Sequence, residues 1–126
     1  MTLPGVSMLH EKPRTIRDTV TQLRMLLRPD ELEVIKQSRL CDLARFHFNH
    51  GEYIRNLWVH RGGSPVTQRI TEAGGVVGQG NDFSQLVIEA LWHDLNDQPY
   101  EISRSEHFQR MVHEQKDDLA RELWSR

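Results

Sequence analysis

The sequence predicts an all-α protein, a compact single-domain bundle of about five or six helices around a central helix at residues 40–60. Apolar residues recur at intervals of three and four through most of the chain, which is the period of one helix face. No segment shows the alternation of a half-buried strand, and no internal repeat is evident. Proline, glycine and capping residues divide the chain into pieces of helix length.

Length and composition limit the kind of protein this can be. A chain of 126 residues can form one hydrophobic core but not two. Its formal charge of −2 gives no general attraction to phosphate, so nucleic-acid binding is not expected. Cys41 is the single cysteine, so no internal disulfide can form. Without a signal-like or membrane-spanning stretch, we expect a cytoplasmic protein with no membrane contact.

The first two helices follow a flexible tail at residues 1–13. The stretch TIRD, beginning at Thr15, matches a capping pattern and starts the first helix. The apolar stripe of this helix consists of Ile16, Val20, Leu23 and Leu27. A second helix starts at Pro29, where acidic residues favour the positive end of the helix dipole. Its inward-facing residues are Leu32 and Ile35.

The longest apolar segment runs from Leu40 to His60 and is predicted to be the buried central helix. On a helix, one stripe contains Leu40, Leu43, Ala44, His47, Gly51, Ile54 and Trp58, and the residues that widen it are Phe46, Phe48 and Leu57. Glycine weakens a helix by about 1 kcal/mol relative to alanine. Gly51 therefore either lets a neighbour approach closely or marks a kink.

The remaining helices are separated by glycine and proline. Ser64 and Pro65 start a short helix that ends at Gly74, and a helix over NDFSQLVIEALWHDL follows a flexible loop. A last amphipathic helix is predicted from Ser103 to Trp124. The predicted organisation is thus a helical core domain at residues 14–97 and a C-terminal amphipathic helix at residues 98–126.

The stretch HFNHGEYIRNLWVH, residues 47–60, contains the candidate functional groups. In the first interpretation His47, Arg55 and Asn56 hydrogen-bond the buried helix to its neighbours, since a guanidinium offers five donors to backbone carbonyls or a carboxylate. In a second, His47 and His50 share a metal ion. The WHDL stretch adds His93 and Asp94, which are similar to the His-Asp pair of metal-dependent phosphohydrolases. We favour no metal and no cofactor.

A third interpretation is general acid/base chemistry. The residues Arg55, Asn56 and His60 are similar to the Arg-polar-x-x-x-His motif of HEPN ribonucleases, which are helical bundles. That similarity implies that Arg55 stabilises a pentacoordinate phosphate and that His60 transfers a proton, with Asn56 orienting it. In this alternative the protein is a metal-independent ribonuclease.

A longer stretch, DLARFHFNHGEYIRNLWVHRGGSP with VIEALWHDL, resembles a small uncharacterised bacterial family of helical domains over residues 15–95. The family core reads Leu-x-x-Leu-His-Phe-x-x-Gly-x-x-Ile-Arg-Asn, followed by a helix containing Ala-Leu-Trp. The matching positions here are Leu43, His47, Phe48, Gly51, Ile54, Arg55, Asn56, Ala90, Leu91 and Trp92. The resemblance implies a compact helical fold and brings no function. The family shows Phe-Gly-Leu-Trp after the asparagine, so His60 is not a family position.

The favoured function is a small protein–protein interaction module, of the immunity-protein, antitoxin or other inhibitor type. Its expected partner is another protein such as a toxin, an effector or a defence enzyme, and a homodimer is an open alternative. Trp124 is the proposed aromatic anchor on the C-terminal helix. A second alternative is a small-molecule sensor, with a pocket beside Gly51 ringed by His47, Arg55 and Trp58.

Overall fold

The computed structural model describes residues 12–60, 63–77, 81–113 and 116–125, and these ranges contain helices and no strand. The α-helices of these ranges are α1 (Ile16–Leu26), α2 (Pro29–Gln37), α3 (His50–Arg55), α4 (Pro65–Glu72), α5 (Asn81–Leu95), α6 (Glu106–Met111) and α7 (Lys116–Ser125). Leu40–Phe46 and Ile102–Arg104 form 3-10 helices, and Asn56–His60 forms a π-helix. The predicted all-α fold is confirmed. Of the predicted tail at residues 1–13, residues 1–11 lie outside the described residues.

Helix α5 lies at the centre of the fold. Residues 83–88 of this helix are all buried, as are Ala90 and Leu91. Helices α1, α2, α3 and α6 and the first 3-10 helix all pack against α5. A helix that is apolar around most of its circumference can be accommodated only inside a core. The central helix is therefore Asn81–Leu95, and the prediction that residues 40–60 form it is wrong.

Residues 40–60 form three helical segments instead of one helix. The His47 carbonyl, which would accept from the Gly51 amide in a continuous helix, accepts from the Arg55 guanidinium at 3.0 Å. The side chain of Asn49 accepts from the His50 amide at 2.6 Å and starts α3 afresh. Polar side chains thus compete with the backbone for its hydrogen bonds and interrupt the helix. Leu43 and Phe46, three residues apart, are both buried, which suits a 3-10 helix of three residues per turn.

Local capping defines several helix ends as predicted. Thr15 caps α1 by accepting from the Asp18 amide at 3.0 Å, and Ser64 caps α4. At the other end of α4, Gly74 has a φ of +84°, a conformation that side chains disfavour. The following Gly75 donates to the Ile70 carbonyl at 2.9 Å and completes the turn.

The predicted helix from Ser103 to Trp124 is two α-helices preceded by a 3-10 turn. Helix α6 ends at Met111 because the Met111 carbonyl accepts from the Val76 amide at 2.6 Å and Val112 is extended. Both helices contribute to the same core as α5 through Phe108, Met111, Val112, Leu119, Ala120 and Leu123. None of the helices in the described ranges combines the length and apolar character needed to cross a membrane.

Candidate functional site

Arg55 is the most constrained polar residue of the histidine-rich stretch. It is the last residue of α3, and only 7% of its surface is exposed. Nη1 donates to Ser84 Oγ at 3.0 Å, and Nη2 donates to the His47 carbonyl at 3.0 Å. Nη1 also lies 3.5 Å from His47 Nδ1, which can only act as the acceptor there. We call His47, Arg55 and Ser84 the Arg55 cluster; it fastens the turn after Phe46 to α5.

The Arg55 guanidinium is buried without a carboxylate. Within the described ranges no Asp or Glu oxygen lies within 4 Å of it, and its partners are a hydroxyl, a carbonyl and an imidazole. Burying a charge is costly unless every donor finds a partner. The cluster is consistent with the predicted role of His47 and Arg55 as a hydrogen-bonded lock. Asn56 does not join this cluster, since it begins the π-helix with its side chain exposed.

Gly51 is required where α3 passes the Arg55 cluster. A Cβ at this position would lie 3.0 Å from Arg55 Nη1, 3.1 Å from the Phe46 carbonyl oxygen and 3.6 Å from Ser84 Oγ. The space beside Gly51 is therefore filled, and Trp58 is itself buried in the core. The ligand pocket ringed by His47, Arg55 and Trp58 stays a prediction, and the close packing beside Gly51 weighs against it. The expected close approach of a neighbour to Gly51 is confirmed.

Phe48 lies on the outside of the molecule. It was predicted to widen the buried stripe, but 83% of its surface is exposed, because the turn at residues 47–49 directs it away from α5. The His47 ring packs edge-on against it at 4.7 Å between centroids. With Asn49, Tyr53, Asn56 and His60, which are all exposed, Phe48 forms a strip that we call the outer edge.

The residues of the ribonuclease alternative lie in different surroundings. Arg55 is directed inward to the Arg55 cluster, whereas His60 ends the π-helix with its side chain exposed. Among the described residues, no side-chain hydrogen bond joins His60 or Asn56 to Arg55. The guanidinium would have to leave its buried partners to reach a phosphate beside His60. The ribonuclease interpretation stays a prediction, and the position of Arg55 weighs against it.

The four residues of the metal alternative each have different neighbours. His50 Nε2 lies 3.0 Å from Glu31 Oε2, and Asp94 pairs with Arg24 at 2.6 Å. The Glu31 pKa is lowered by its hydrogen bond with the Arg28 backbone and then by His50. His47 belongs to the Arg55 cluster, and His93 packs against Tyr100 with 4.8 Å between ring centroids. In the part of the chain that the structure describes, no three His, Cys, Asp or Glu residues are placed to hold a metal ion.

Trp124 packs on its own domain. Its ring meets Tyr100 in a T-shaped contact at 6.0 Å, and it is partly buried beside the core residues of α7. The proposed anchor is therefore not a free ring, and it belongs to a different part of the surface from the Arg55 cluster.

Ser84 is a residue of the site that the sequence analysis did not identify. The available signal was a serine inside an otherwise apolar helix face, which requires a polar partner when buried.

Comparison with known proteins identifies the core of the chain. Residues 12–95 match the family model described as a domain of unknown function, DUF6794. Neither the curated proteins nor the solved structures contain a significant match. The matched region contains α1 to α5, including the Arg55 cluster and the outer edge, and it ends with α5 at Leu95. The chain belongs to the DUF6794 family.

Proposed function

We propose that this DUF6794 domain is a protein-binding module that docks a different protein on its outer edge, with Phe48 as the anchor. The observation that carries the proposal is the 83% exposure of a phenylalanine ring on an ordered turn. Burying a phenylalanine side chain contributes about 1.5–3 kcal/mol of hydrophobic free energy. Phe48 lacks most of this contribution in the free protein, and a pocket on a partner would supply it. Aromatic anchors of this kind dominate binding energy at many interfaces.

The Arg55 cluster supports the proposal because it holds the turn before any partner arrives. Arg55 Nη2 bonds the carbonyl of His47, the residue directly before Phe48, and Nη1 bonds Ser84 on the central helix. Docking then costs little loss of backbone freedom, since the anchor is already positioned. The buried guanidinium is thus assigned a positioning role.

The composition of the outer edge supports a protein partner. The chain is 27% charged, and the exposed residues from 48 to 60 are two aromatic residues, two asparagines, one histidine and one carboxylate, Glu52. Interface centres are enriched in aromatic residues and depleted of Lys, Asp and Glu. The surface therefore fits a partner with an apolar pocket for Phe48 and backbone or amide groups around it. We extend the proposal to inhibition of the immunity-protein or antitoxin type, because a rigid strip can block another protein's surface without chemistry of its own.

The experiment compares Phe48→Ser with Val34→Ser in the full-length chain. Val34 is a 50% exposed apolar residue on α2, so its variant controls for general loss of surface hydrophobicity. Tagged proteins are expressed in the native cell, and co-purifying proteins are quantified by mass spectrometry. We expect one protein to be retained by wild type and by Val34→Ser and to be lost with Phe48→Ser.

Two outcomes would contradict the proposal. Equal recovery with both variants would show that the outer edge is not the docking surface. Self-association that is lost with Phe48→Ser, measured by light scattering, would show that a second copy of the chain occupies the edge.

A further inference from the structure

A cleft on the side of α5 toward the C-terminal segment is separate from the outer edge. It has a volume of about 340 Å³ and lies between α5 and residues 99–105, with Leu40 at its margin. This volume is within the range of small-molecule sites. One wall is contributed by the DUF6794 core, and the other lies beyond the matched residues 12–95. The cleft is therefore built jointly by the family domain and the C-terminal addition.

Glu89 is the central polar group of this cleft. Its Oε1 accepts from the Tyr100 hydroxyl at 2.8 Å and from Ser105 Oγ at 2.7 Å. Both donors are neutral hydroxyls, so they solvate the carboxylate without neutralising it. Burial, followed by the charge of Glu89, raises the pKa of Tyr100 and keeps the phenol a proton donor to Glu89.

The cations near Glu89 are engaged elsewhere. His107 Nε2 lies 3.9 Å from Glu89 Oε2, while its Nδ1 lies 2.9 Å from Asp82. Arg104, the arginine that lines the cleft, pairs with Glu101 at 2.8 Å. Among the described residues, the cleft lining contains two carboxylates and one guanidinium, and no cation is hydrogen-bonded directly to Glu89.

His93 lies on the same wall of the cleft. Burial lowers its pKa, which keeps the imidazole neutral near pH 7, while the backbone of Pro99 hydrogen-bonds the ring. Its Nδ1 is buried and has no hydrogen-bond partner. The ring lies edge-on to Trp92, with 5.0 Å between centroids, and is tilted against Tyr100 at 4.8 Å.

We propose that this cleft binds a small organic cation, a primary ammonium or amidinium joined to a short apolar group. Glu89 receives the positive group in a charge-assisted hydrogen bond. Leu40 and Pro99 provide the apolar contact for the rest of the molecule. An anionic ligand is disfavoured because the described lining has two carboxylates and one guanidinium, and that guanidinium is paired with Glu101.

The test uses phenethylammonium as the probe, with 2-phenylethanol and phenylacetate as neutral and anionic counterparts of similar shape. Binding to the full-length protein is followed by shifts of backbone amide signals in two-dimensional NMR. We expect saturable shifts for phenethylammonium at residues 89–93 and 100–105, and none for the other two compounds. This comparison uses wild-type protein, so it does not depend on the folding of any variant.

A pair of variants identifies the recognising carboxylate. Glu89→Gln keeps an oxygen acceptor for Tyr100 and Ser105, and we expect it to weaken phenethylammonium binding at least about tenfold. Asp94→Asn, on the same helix but paired with Arg24, should bind as wild type does. Phenylacetate binding as well as the amine, equal binding by Glu89→Gln, or no saturable shift at about 10 mM amine would overturn the proposal.

Discussion

Replacing Arg55 by methionine tests whether the buried guanidinium holds the histidine-rich turn to the central helix. Methionine keeps most of the apolar stem and removes the donors. Two hydrogen bonds from a charged donor are lost, those at 3.0 Å to the His47 carbonyl and to Ser84 Oγ. Ser84 keeps a partner, because its hydroxyl donates to the Asn81 carbonyl at 3.0 Å. The carbonyl of His47 is the group left to find a new donor.

The expected loss in the free energy of unfolding is about 2–4 kcal/mol. Hydrogen bonds to a charged group contribute about 1.5–3 kcal/mol each, and relief from burying a cation without a carboxylate offsets part of the sum. The contact between Arg55 Nη1 and His47 Nδ1, at 3.5 Å, is at the limit of a hydrogen bond and adds little to this sum. The assay is urea denaturation followed by circular dichroism, with linear extrapolation to water.

The control for this prediction is Arg45→Met. Arg45 is exposed and lies 5.0 Å above the Phe46 ring, so its loss should cost less than about 1 kcal/mol. A change below about 0.5 kcal/mol for Arg55→Met, or equal losses for both variants, would refute the reasoning. The Arg55 cluster would then not hold the turn.

Three further predictions concern packing and protonation. Gly51→Ala should destabilise by about 1–2 kcal/mol despite alanine's higher helix propensity, because the added Cβ would lie 3.1 Å from the Phe46 carbonyl oxygen, closer than an ordinary van der Waals contact; thermal melting compared with Glu52→Ala measures it. The pKa of His93 is lower in the folded chain than in the unfolded chain. As the pH falls, the unfolded chain therefore protonates this imidazole first. Its stability contribution is therefore present above about pH 6.5 and lost as the pH falls toward the folded-state value. His93→Gln should thus lose less stability than wild type between about pH 7.5 and about pH 5.5, measured by urea denaturation at each pH. Ending the chain after residue 97 should prevent cooperative unfolding, because the remaining core loses the fully buried side chains of Phe108 and Met111. Calorimetry measures whether a cooperative transition remains.

Each of these predictions has an opposite outcome. An increase in melting temperature for Gly51→Ala would mean that the neighbouring groups have room to move. Identical pH dependence of wild type and His93→Gln would place that imidazole in a solvated position. A cooperative transition of the shortened chain near that of the full chain would make residues 98–126 an appendage.

Local signals explain why several helix ends could be predicted from sequence. The caps at Thr15 and Ser64 depend on hydrogen bonds to an amide three residues ahead, so the nearby sequence contains the whole interaction. The same holds for Gly74, whose conformation depends on its missing side chain. These positions are determined by residues within one turn, and pattern reasoning is adequate there.

Long-range contacts explain why residues 40–60 could not be predicted as they are. The helix is interrupted because Arg55 reaches back to His47 and across to Ser84, which is 29 residues further along the chain. Because the nearby sequence does not identify this partner, the spacings of three and four between apolar residues predict one continuous helix. The direction of Phe48 follows from the same interruption, since the turn reverses which side of the segment faces α5.

The C-terminal region shows the same limitation. Residues 103–124 have a continuous amphipathic pattern, but the Val76 amide takes the Met111 carbonyl and ends α6. That hydrogen bond joins positions 35 residues apart, so the local sequence around Met111 does not predict it. At the candidate site, His47 and Arg55 are in contact, Asn56 lies apart from them, and their partner Ser84 was not foreseen.

Photo-crosslinking from position 53 tests the docking surface most directly. Tyr53, on the outer edge, is 38% exposed, and it is replaced by benzoylphenylalanine in the native cell, with Val34 replaced in the same way as the reference site. We predict a cross-link from position 53 to one different protein, lost when Phe48→Ser is added and absent from position 34. Cross-links only to a second copy of the chain, or the same products from both positions, would contradict a heterologous docking surface built around Phe48.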